Sequence, residues 1–414
     1  MPTAVLDLEF EHLPATIAVP GHYERALILV RVHGRPVGQA RLPVLGGQIG
    51  GTELRDALAE CATQPFWEDR LHRYLDWETA HATPATFPRA TVAICTRDRP
   101  DDVRRCLEGI RNLPDDGQEV LVVDNRPSTD ATRRVVEECA CARYVRENRP
   151  GLDVARNRAL SEARHEIVAF VDDDAVPDPN WLRAHLRNFD APTVLCVTGL
   201  TMPLELETEA QEWFEHYSAF GRGFRRTVFD EYGVNPLAAG RVGAGANMSL
   251  RRSVVDLVGP FDEALDGGTA TRSGGDTEMF SRILAQGYRI VYDPAALNWH
   301  RHRRTWEELR QTIYGYGVGV YALWTRRLLF ERELTIPKLA WGWFRHTQLP
   351  ALARALLKRP RGSGQPEGAG RSPAEPPPLD LLLAELRGCA SGPWAYLASR
   401  QRQRRNRHPL EATP

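Results

Sequence analysis

The sequence predicts an α/β fold in which helices flank a mostly parallel sheet. Apolar runs of strand length recur along the chain, and each is followed by a polar turn and a segment with helical periodicity. Strands that alternate with helices form parallel sheets whose turns meet at one edge. Asp172-Asp173-Asp174 directly follow one apolar run, residues 167–171. Because open α/β sheets bind ligands beyond the carboxyl ends of their strands, these carboxylates indicate a ligand site.

Each element is predicted from a local pattern. The apolar run that ends at Cys95 is followed by a helical pattern with Val103, Leu107 and Ile110 on one face. Ser128 or Thr129 suits the N-cap of the next helix. The predicted order is strand 92–95, a helix, strand and helix within 119–138, strand 142–148, helix 151–163 and strand 167–171.

Seven stretches, taken in order, resemble the family 2 glycosyltransferases, which have the GT-A fold. They cover about residues 88–305 and read ICTRDRP, VLVVDNRPSTD, NRPGLDVARNRAL, FVDDDAVPDPNWL, GAGANMSLRRSVVDLVGPFDEAL, GGDTEMFSRIL and YDPAALNWHRHRR. One such motif is weak evidence, whereas seven in the family's order are strong evidence. The resemblance implies a GT-A sheet and inverting transfer of a sugar from a nucleotide-diphospho-sugar, with a divalent metal on the diphosphate.

The resemblance also implies which residues hold the metal. A leaving nucleoside diphosphate gains negative charge, and carboxylates suit the Mg²⁺ or Mn²⁺ that would offset that charge. By position in the motif, Asp174 ligates the metal, and Asp172 contacts the ribose or orients the metal site. The role of Asp173 stays open. His300 completes the metal shell, and the alternatives are a solvated acidic turn and a structural histidine.

A general base is expected in the stretch SGGDTEM. The acceptor hydroxyl must lose a proton during attack, which requires a carboxylate on the face opposite the leaving group. The family's base falls on Asp276, and Glu278 is the second carboxylate of the motif. Residues two apart do not share a helix face, so a helix that begins here points Glu278 elsewhere. The alternative role of Asp276 is the N-cap of a helix at 277–286.

The same resemblance assigns contacts to the nucleotide and the sugar. Asp124-Asn125 lies near the base edge, and many relatives have two acidic residues there, so Asn125 leaves UDP, dTDP and GDP donors open. Residues 263–275 are predicted to be a mobile loop that orders over the donor. The other predicted contacts are Cys95, Thr96, Arg97, Arg156, Asn157, Asp172 and Asp173 to the nucleotide, Ala246 and Asn247 to the sugar, and Arg301, Arg303 and Arg304 as further diphosphate candidates.

Charge, cysteines and hydropathy indicate the cellular setting. The formal net charge of −1 gives no overall field that favours nucleic acid. Seven cysteines without metal-ligand spacing fit a reducing cytosol. The start of the chain does not resemble a signal peptide, and no apolar run is long enough to cross a bilayer. We expect a cytoplasmic protein, and the basic end, residues 400–407, permits weak peripheral membrane association.

Composition changes along the chain predict its domains. The predicted segments are an N-terminal accessory domain of hairpin and helix (1–86), the GT-A catalytic domain (87–305), a helical extension (306–358), a flexible Pro/Gly-rich linker (359–378) and a C-terminal helix with a basic tail (379–414). Bracing of the catalytic sheet, acceptor recognition and dimerisation all stay open for the accessory domain.

Two other functions compete with glycosyl transfer. A sugar-nucleotide nucleotidyltransferase also uses an α/β sheet with a carboxylate-bound metal, but ICTRDRP lacks the glycine-rich loop such enzymes need. An inactive nucleotide-sugar-binding scaffold would not need the acidic triplet, Asp276 and His300 together. The predicted acceptor is a saccharide, a lipid-linked glycan, a natural product or a peptide, and a homo-oligomer stays open.

Overall fold

The computed structural model describes residues 2–61, 64–75, 87–357 and 377–407. Most of the predicted linker at 359–378 and the end of the basic tail lie outside these residues. The strands are β1 (Thr3–Glu9), β2 (Thr16–Ala18), β3 (Arg25–Val32), β4 (Arg35–Pro43), β5 (Gln48–Gly50), β6 (Ala90–Thr96), β7 (Glu119–Asn125), β8 (Arg143–Glu147), β9 (Ile167–Val171), β10 (Ala175–Pro177), β11 (Val194–Pro203), β12 (Thr227–Phe229), β13 (Asn247–Arg251) and β14 (Arg289–His300).

The helices follow the strands in the order that the sequence predicts for residues 89–171. They are α1 (Gly51–Cys61), α2 (Gln64–Tyr74), α3 (Pro100–Arg111), α4 (Ala131–Cys139), α5 (Leu152–Glu162), α6 (Trp181–Leu186), α7 (Glu209–Ser218), α8 (Val254–Leu257), α9 (Gly275–Ala285), α10 (Trp306–Glu331), α11 (Ile336–Trp343), α12 (Leu349–Leu356) and α13 (Leu379–Arg407). A π-helical turn, Phe344–Gln348, joins α11 to α12.

Within the described residues, nine strands form the central sheet in the order β10-β14-β11-β13-β9-β6-β7-β8, with β12 paired to β14. Strands β6, β7, β8, β9, β11 and β14 run in one direction, and β10, β12 and β13 run in the other. The predicted α/β class, a mixed and mostly parallel sheet flanked by helices as in the GT-A fold, is therefore confirmed.

The sheet is buried on both faces, which explains why its strands read as continuous apolar runs. On one face, Val92 of β6 and Val122 of β7 pack with Leu107 of α3. On the other face, Ala93 of β6 and Phe170 of β9 lie in a second cluster with side chains of α5 and α9. With helices on both faces, the loops at the carboxyl ends of the strands are left to form a site.

The N-terminal residues form a smaller sheet that packs on the central one. Strands β3 and β4 pair antiparallel around His33-Gly34, which confirms the predicted hairpin, and β1 pairs with β3 in parallel. Leu27 and Leu29 of β3 share an apolar cluster with side chains of β11 and β14. Arg31 of β3 lies 2.7 Å from Asp178. This packing is the arrangement that the bracing interpretation requires.

The chain divides into two compact units, one of residues 1–262 and 276–306 and the other of residues 263–275 and 307–414. In the second unit, Ala264 and Leu265 are buried with Ala322 and Tyr396. Ser273 Oγ donates a hydrogen bond to the Gly315 carbonyl over 2.8 Å. The segment predicted to be a mobile loop over the donor, 263–275, is instead packed on α10 in this structure.

Two further observations bear on the predicted setting. Cys139 and Cys141 form a disulfide, a pairing that the sequence did not indicate. Across the described ranges, no helix is both long and apolar enough to span a bilayer.

Candidate active site

The register of two neighbouring strands brings the acidic triplet to His300. Asp172 follows the last residue of β9, and His300 is the last residue of β14. Short strand β10 pairs antiparallel with β14, so Ala175 lies opposite His300. Asp174, one residue before Ala175, therefore lies beside the histidine.

Asp172, Asp174 and His300 form a cluster that suits a divalent cation. Each residue offers one ligand atom, and these atoms all lie within 4.8 Å of one another. His300 Nε2 is 3.0 Å from Asp174 Oδ1, and both side chains are buried. Two carboxylates with one imidazole make a donor set that fits Mn²⁺, and the carboxylates also fit Mg²⁺. The structure thus brings together the three predicted metal ligands.

Two arginines also lie at the acidic triplet. Arg99 Nη1 is 3.0 Å from Asp173 Oδ1 and 3.3 Å from Asp174 Oδ2, and Arg303 Nη1 is 3.3 Å from Asp174 Oδ2. Burial opposes the charge of Asp174, but His300 and these guanidinium groups outweigh it and hold its pKa below the usual range. Asp174 is therefore an ionised carboxylate, as a metal ligand must be.

Arg99 was missed as a candidate, although it stands in the quoted stretch ICTRDRP. An arginine in the loop after the first strand was the signal available for it. Of the three arginines predicted after His300, Arg303 contacts Asp174 through its guanidinium group, and Arg301 does so through its backbone amide, which donates to the Asp174 carbonyl over 2.9 Å. Arg301 pairs with Asp102, and Arg304 pairs with Glu205.

Asp173 is turned away from the metal cluster, towards β6. Its Oδ2 accepts a hydrogen bond of 2.7 Å from Thr96 Oγ1. Burial and the charge of Asp174 raise the pKa of Asp173 well above its usual range. The predicted nucleotide contacts Thr96 and Asp173 thus contact each other.

Behind His300 lies a buried chain of polar side chains. His300 Nδ1 is 3.0 Å from His302 Nδ1, and His302 Nε2 is 2.7 Å from Glu215 Oε1 on α7. Burial lowers the pKa of His302, which makes the neutral imidazole the dominant form. Sequence reasoning missed Glu215, which lies 87 residues before His302 and carries no local signal.

The proposed base, Asp276, lies in the first turn of α9. Its Oδ2 accepts a hydrogen bond of 2.7 Å from the Gly245 amide, and its Oδ1 accepts one of 2.6 Å from the Thr277 amide. A Cβ on Gly245 would lie 2.8 Å from both Asp276 Cβ and Arg156 Nη2, so only glycine permits this close approach. The side chain of Asp276 is half-buried and held in a fixed direction.

Glu278, the second carboxylate predicted at this site, is occupied elsewhere. It is fully buried, and its Oε1 and Oε2 accept hydrogen bonds of 2.6 and 2.7 Å from Arg282 Nε and Nη2. Arg282 also donates to the Val258 carbonyl over 2.8 Å. This bidentate ion pair joins α9 to the segment after α8 and favours a structural role for Glu278.

Asp124 and Asn125 differ in what they can offer to a base. Asp124 is fully buried, and its Oδ2 accepts a hydrogen bond of 3.0 Å from the Tyr144 hydroxyl. Its Oδ1 has no hydrogen-bond partner among the described residues. Burial raises the pKa of Asp124 to about 6. An acceptor of this kind at a strand end suits a ligand N–H group.

Asn125 instead ties the next loop to β7. Its Oδ1 accepts a hydrogen bond of 3.0 Å from the Gly151 amide, and its Nδ2 donates to the Arg149 carbonyl over 2.8 Å. Asn157 is similarly engaged, because its amide exchanges two hydrogen bonds with the Phe261 backbone at 2.9 and 3.0 Å. Both amides hold loops around the site.

Asn247 was predicted to contact the sugar, but its side chain has no donor or acceptor left. It is fully buried and makes four hydrogen bonds, the full capacity of a side-chain amide. Its Oδ1 accepts from Trp181 Nε1 (2.8 Å) and His185 Nε2 (2.9 Å). Its Nδ2 donates to the carbonyls of Leu200 and Ala296 (2.8 Å each). Asn247 therefore joins β13 to α6, β11 and β14.

The remaining predicted contacts lie around the same strand ends. Cys95 is partly buried at the end of β6, and Arg97 is exposed in the loop that follows. Arg156 is buried beside Asp153, with its Nη1 2.9 Å from Asp153 Oδ1. Ala246 is buried, and its carbonyl accepts a hydrogen bond of 2.8 Å from Asn298 Nδ2.

Comparison with known proteins identifies the family of the residues that include the acidic triplet. Residues 91–257 match the model of glycosyl transferase family 2. This part of the chain belongs to glycosyl transferase family 2. The family predicted from the seven motifs is thus confirmed. The match includes the acidic triplet, whereas Asp276 and His300 lie beyond its end.

Proteins similar to this chain include several glycosyltransferases. Pre-mycofactocin glycosyltransferase of Mycobacterium tuberculosis is 30% identical over 258 residues, which are 60% of this chain and 51% of that protein. Glycosyltransferase AglE of Haloferax volcanii is 25% identical over 250 residues, 58% of this chain and 75% of that protein. The chain spans about half the length of the mycobacterial relative.

A solved structure also resembles this chain. It is the mannosyltransferase PcManGT from Pyrobaculum calidifontis, in complex with GDP-Man and Mn²⁺. The two chains are 20% identical, 84% of each is covered, and the TM-score is 0.45.

Proposed function

We propose that this chain transfers a sugar, with inversion, from a nucleotide-diphospho-sugar to an acceptor hydroxyl. The observation that carries the proposal is the cluster of Asp172, Asp174 and His300, with ligand atoms within 4.8 Å, whose two carboxylates lie in the residues that match glycosyl transferase family 2. In this proposal the three side chains hold Mn²⁺ or Mg²⁺. The bound ion supplies Lewis acidity to the diphosphate oxygens of the donor.

Arg99 and Arg303 have a second part in the proposed mechanism. Both guanidinium groups lie at Asp174, within 3.3 Å of its Oδ2. When the cluster holds a cation, these groups are placed to donate to the diphosphate, because the planar fork of arginine bonds two phosphate oxygens. Positive charge at the leaving group then comes from these two arginines as well as from the cation.

Asp276 is the proposed general base. The Gly245 and Thr277 amides each donate to one of its oxygens, which holds the carboxylate in a fixed direction. As the acceptor oxygen attacks the anomeric carbon, the hydroxyl proton moves to Asp276 and the diphosphate leaves. Glu278 is not proposed as an alternative, since Arg282 binds both of its oxygens.

Asp124 is the proposed contact to the base of the nucleotide. Its Oδ1 has no hydrogen-bond partner among the described residues. A carboxylate oxygen accepts hydrogen bonds and does not donate them, so the proposal requires a ring N–H group on the base. Uracil, thymine and guanine present such a group. UDP-, dTDP- and GDP-sugars therefore remain the donor classes to test.

Calorimetric titration of the chain with UDP, dTDP and GDP, each with and without Mn²⁺, tests the proposal. We expect one nucleotide to bind, and only with the metal. Asp174→Asn keeps the side-chain size but removes the charge, so it should abolish metal-supported binding. Asp190→Asn is the matched control, because Asp190 is exposed after α6 and accepts a hydrogen bond from the Ala191 amide, away from the cluster. Equal nucleotide affinity of Asp174→Asn and the parent would contradict the metal site.

A further inference from the structure

The helix pair α11 and α12 exposes an unusual combination of apolar and positively charged side chains. Trp341 is 60% exposed, and Leu334, Leu356 and Leu357 are 79%, 63% and 80% exposed. Single apolar side chains are common on protein surfaces, but several on one short segment mark an interaction site. We call residues 334–357 the docking segment.

The opposite side of the docking segment is packed within its own unit. Gln348 is buried and donates to Glu385 Oε1 of α13 over 3.2 Å. Trp343 packs edge-on against Trp324 of α10, with ring centroids 5.7 Å apart. These contacts fix which side of the segment faces α10 and α13, so the exposed side chains lie on the side left over.

The exposed side carries cations without anions. Lys338, Trp341 and Arg345 are exposed and follow one another at spacings of three and four residues, which places them on one helix face. Arg354 is exposed further along, and residues 334–357 contain no aspartate or glutamate. Arg326 and Arg327 of α10, by contrast, both pair with Glu331.

We propose that the docking segment binds the surface of an anionic lipid bilayer. Trp341 and the exposed leucines enter the boundary between headgroups and acyl chains, where tryptophan is enriched. Lys338, Arg345 and Arg354 bind the lipid phosphates. A bilayer fits this surface because residues 334–357 carry cations without an acidic residue among them, and an anionic bilayer presents a uniformly negative surface. This binding goes beyond the proposed transfer reaction, which requires no membrane.

Sedimentation of the full chain with vesicles tests the proposal. The vesicles are phosphatidylcholine alone or phosphatidylcholine mixed with phosphatidylglycerol. We expect binding to the mixed vesicles that weakens with added salt. Each cation near such a surface increases partitioning about fivefold, so the triple variant Lys338→Gln/Arg345→Gln/Arg354→Gln should lose on the order of 100-fold in binding.

The matched control is Arg402→Gln/Arg404→Gln/Arg405→Gln in α13, which removes the same charge from another exposed surface. It should keep vesicle binding, although the sequence placed membrane association in this tail. Loss of binding in the control alone would overturn the proposal and favour the tail.

Two further measurements distinguish binding of a bilayer to this surface from binding of a second copy of the chain. Quenching of tryptophan fluorescence by brominated phosphatidylglycerol should fall in Trp341→Phe, because Trp341 enters the bilayer. Sedimentation velocity reports self-association. A parent that dimerises through the segment and ignores the mixed vesicles would overturn the proposal, as would equal binding to neutral and anionic vesicles.

Discussion

The Nδ1 atoms of His300 and His302 lie 3.0 Å apart, so one must carry a hydrogen and the other must accept it. Glu215 decides which, because its carboxylate accepts from His302 Nε2 over 2.7 Å. His302, a neutral imidazole, then offers the Nδ1 lone pair and His300 donates. The position of Glu215 thereby fixes the orientation of His300 and directs its Nε2 towards Asp174.

Glu215→Gln should therefore weaken Mn²⁺ binding without touching the cluster itself. A glutamine can donate to His302 as well as accept, so the preferred tautomer of both histidines is lost. The expected loss is about 10- to 100-fold in metal affinity, as for other partners of metal-bound histidine. Electron paramagnetic resonance of free Mn²⁺ during a titration measures it without any turnover.

Glu212→Gln is the control for this variant. It makes the same change on the same helix, but Glu212 pairs with Arg41 at the surface. Metal affinity should stay at the parent's value there. An unchanged affinity in Glu215→Gln would remove Glu215 from the site.

Asp276→Asn and Glu278→Gln should fail in different ways. The first removes the proposed base, so turnover should fall by roughly 10²- to 10⁴-fold with donor affinity little changed. The second leaves Arg282 buried without its anion, which costs about 3 to 5 kcal/mol of unfolding free energy. Steady-state kinetics and urea unfolding of both variants separate the two effects. If Glu278→Gln were stable but inactive and Asp276→Asn were active, the general base would be Glu278 and not Asp276.

Asp124→Asn should gain stability and lose nucleotide affinity. Folding raises the pKa of Asp124 from 3.8 to about 6, so ionisation of this buried group destabilises the folded state. The cost is absent below about pH 4 and complete above about pH 6, where the variant should be about 1 to 3 kcal/mol more stable than the parent. Urea unfolding from pH 4 to pH 8 measures the difference.

Nucleotide titration of the same variant tests the role of Asp124 in base contact. An amide in place of the carboxylate offers the ring N–H a weaker, uncharged acceptor. Asp130→Asn, in the exposed loop after β7, controls for removal of charge. If the stability advantage of Asp124→Asn over the parent increased as the pH falls, ionised Asp124 would not be what destabilises the folded parent.

The strand ends could be predicted because their signal is local. An apolar run followed by polar side chains identifies both β6 with Thr96 and β9 with the acidic triplet. The contact between His300 and Asp174 was predicted from the order of the family motifs. In the structure, the register of the strands produces this contact. Each of these predictions needed only a short stretch of sequence or the position of that stretch in the order of the family motifs.

Asn247 and Glu215 show where that reasoning ends. The glycines around Asn247 suggested close approach to a ligand, but its amide bonds Trp181 and His185, 66 and 62 residues away. Glu215 reaches His302 across 87 residues. The partner of a buried polar group is chosen by the packing of distant elements, and no local spacing encodes that choice.

The stereochemistry of the product tests the number of carboxylates that act on the sugar. One base that activates the acceptor opposite a metal-bound leaving group permits a single displacement, which inverts the anomeric carbon. Retention by double displacement requires a second carboxylate poised as a nucleophile. Asp172 and Asp174 belong to the proposed metal cluster, Asp173 bonds Thr96, and Glu278 is bound by Arg282.

An α-linked nucleotide sugar should therefore give a β-glycoside, and a β-linked donor should give an α-glycoside. The anomeric proton coupling of the product, measured by NMR for a sugar whose anomers differ in that coupling, reports the outcome. A retained configuration would show that a second carboxylate attacks the sugar, and Asp276 would then lose its role as the only base.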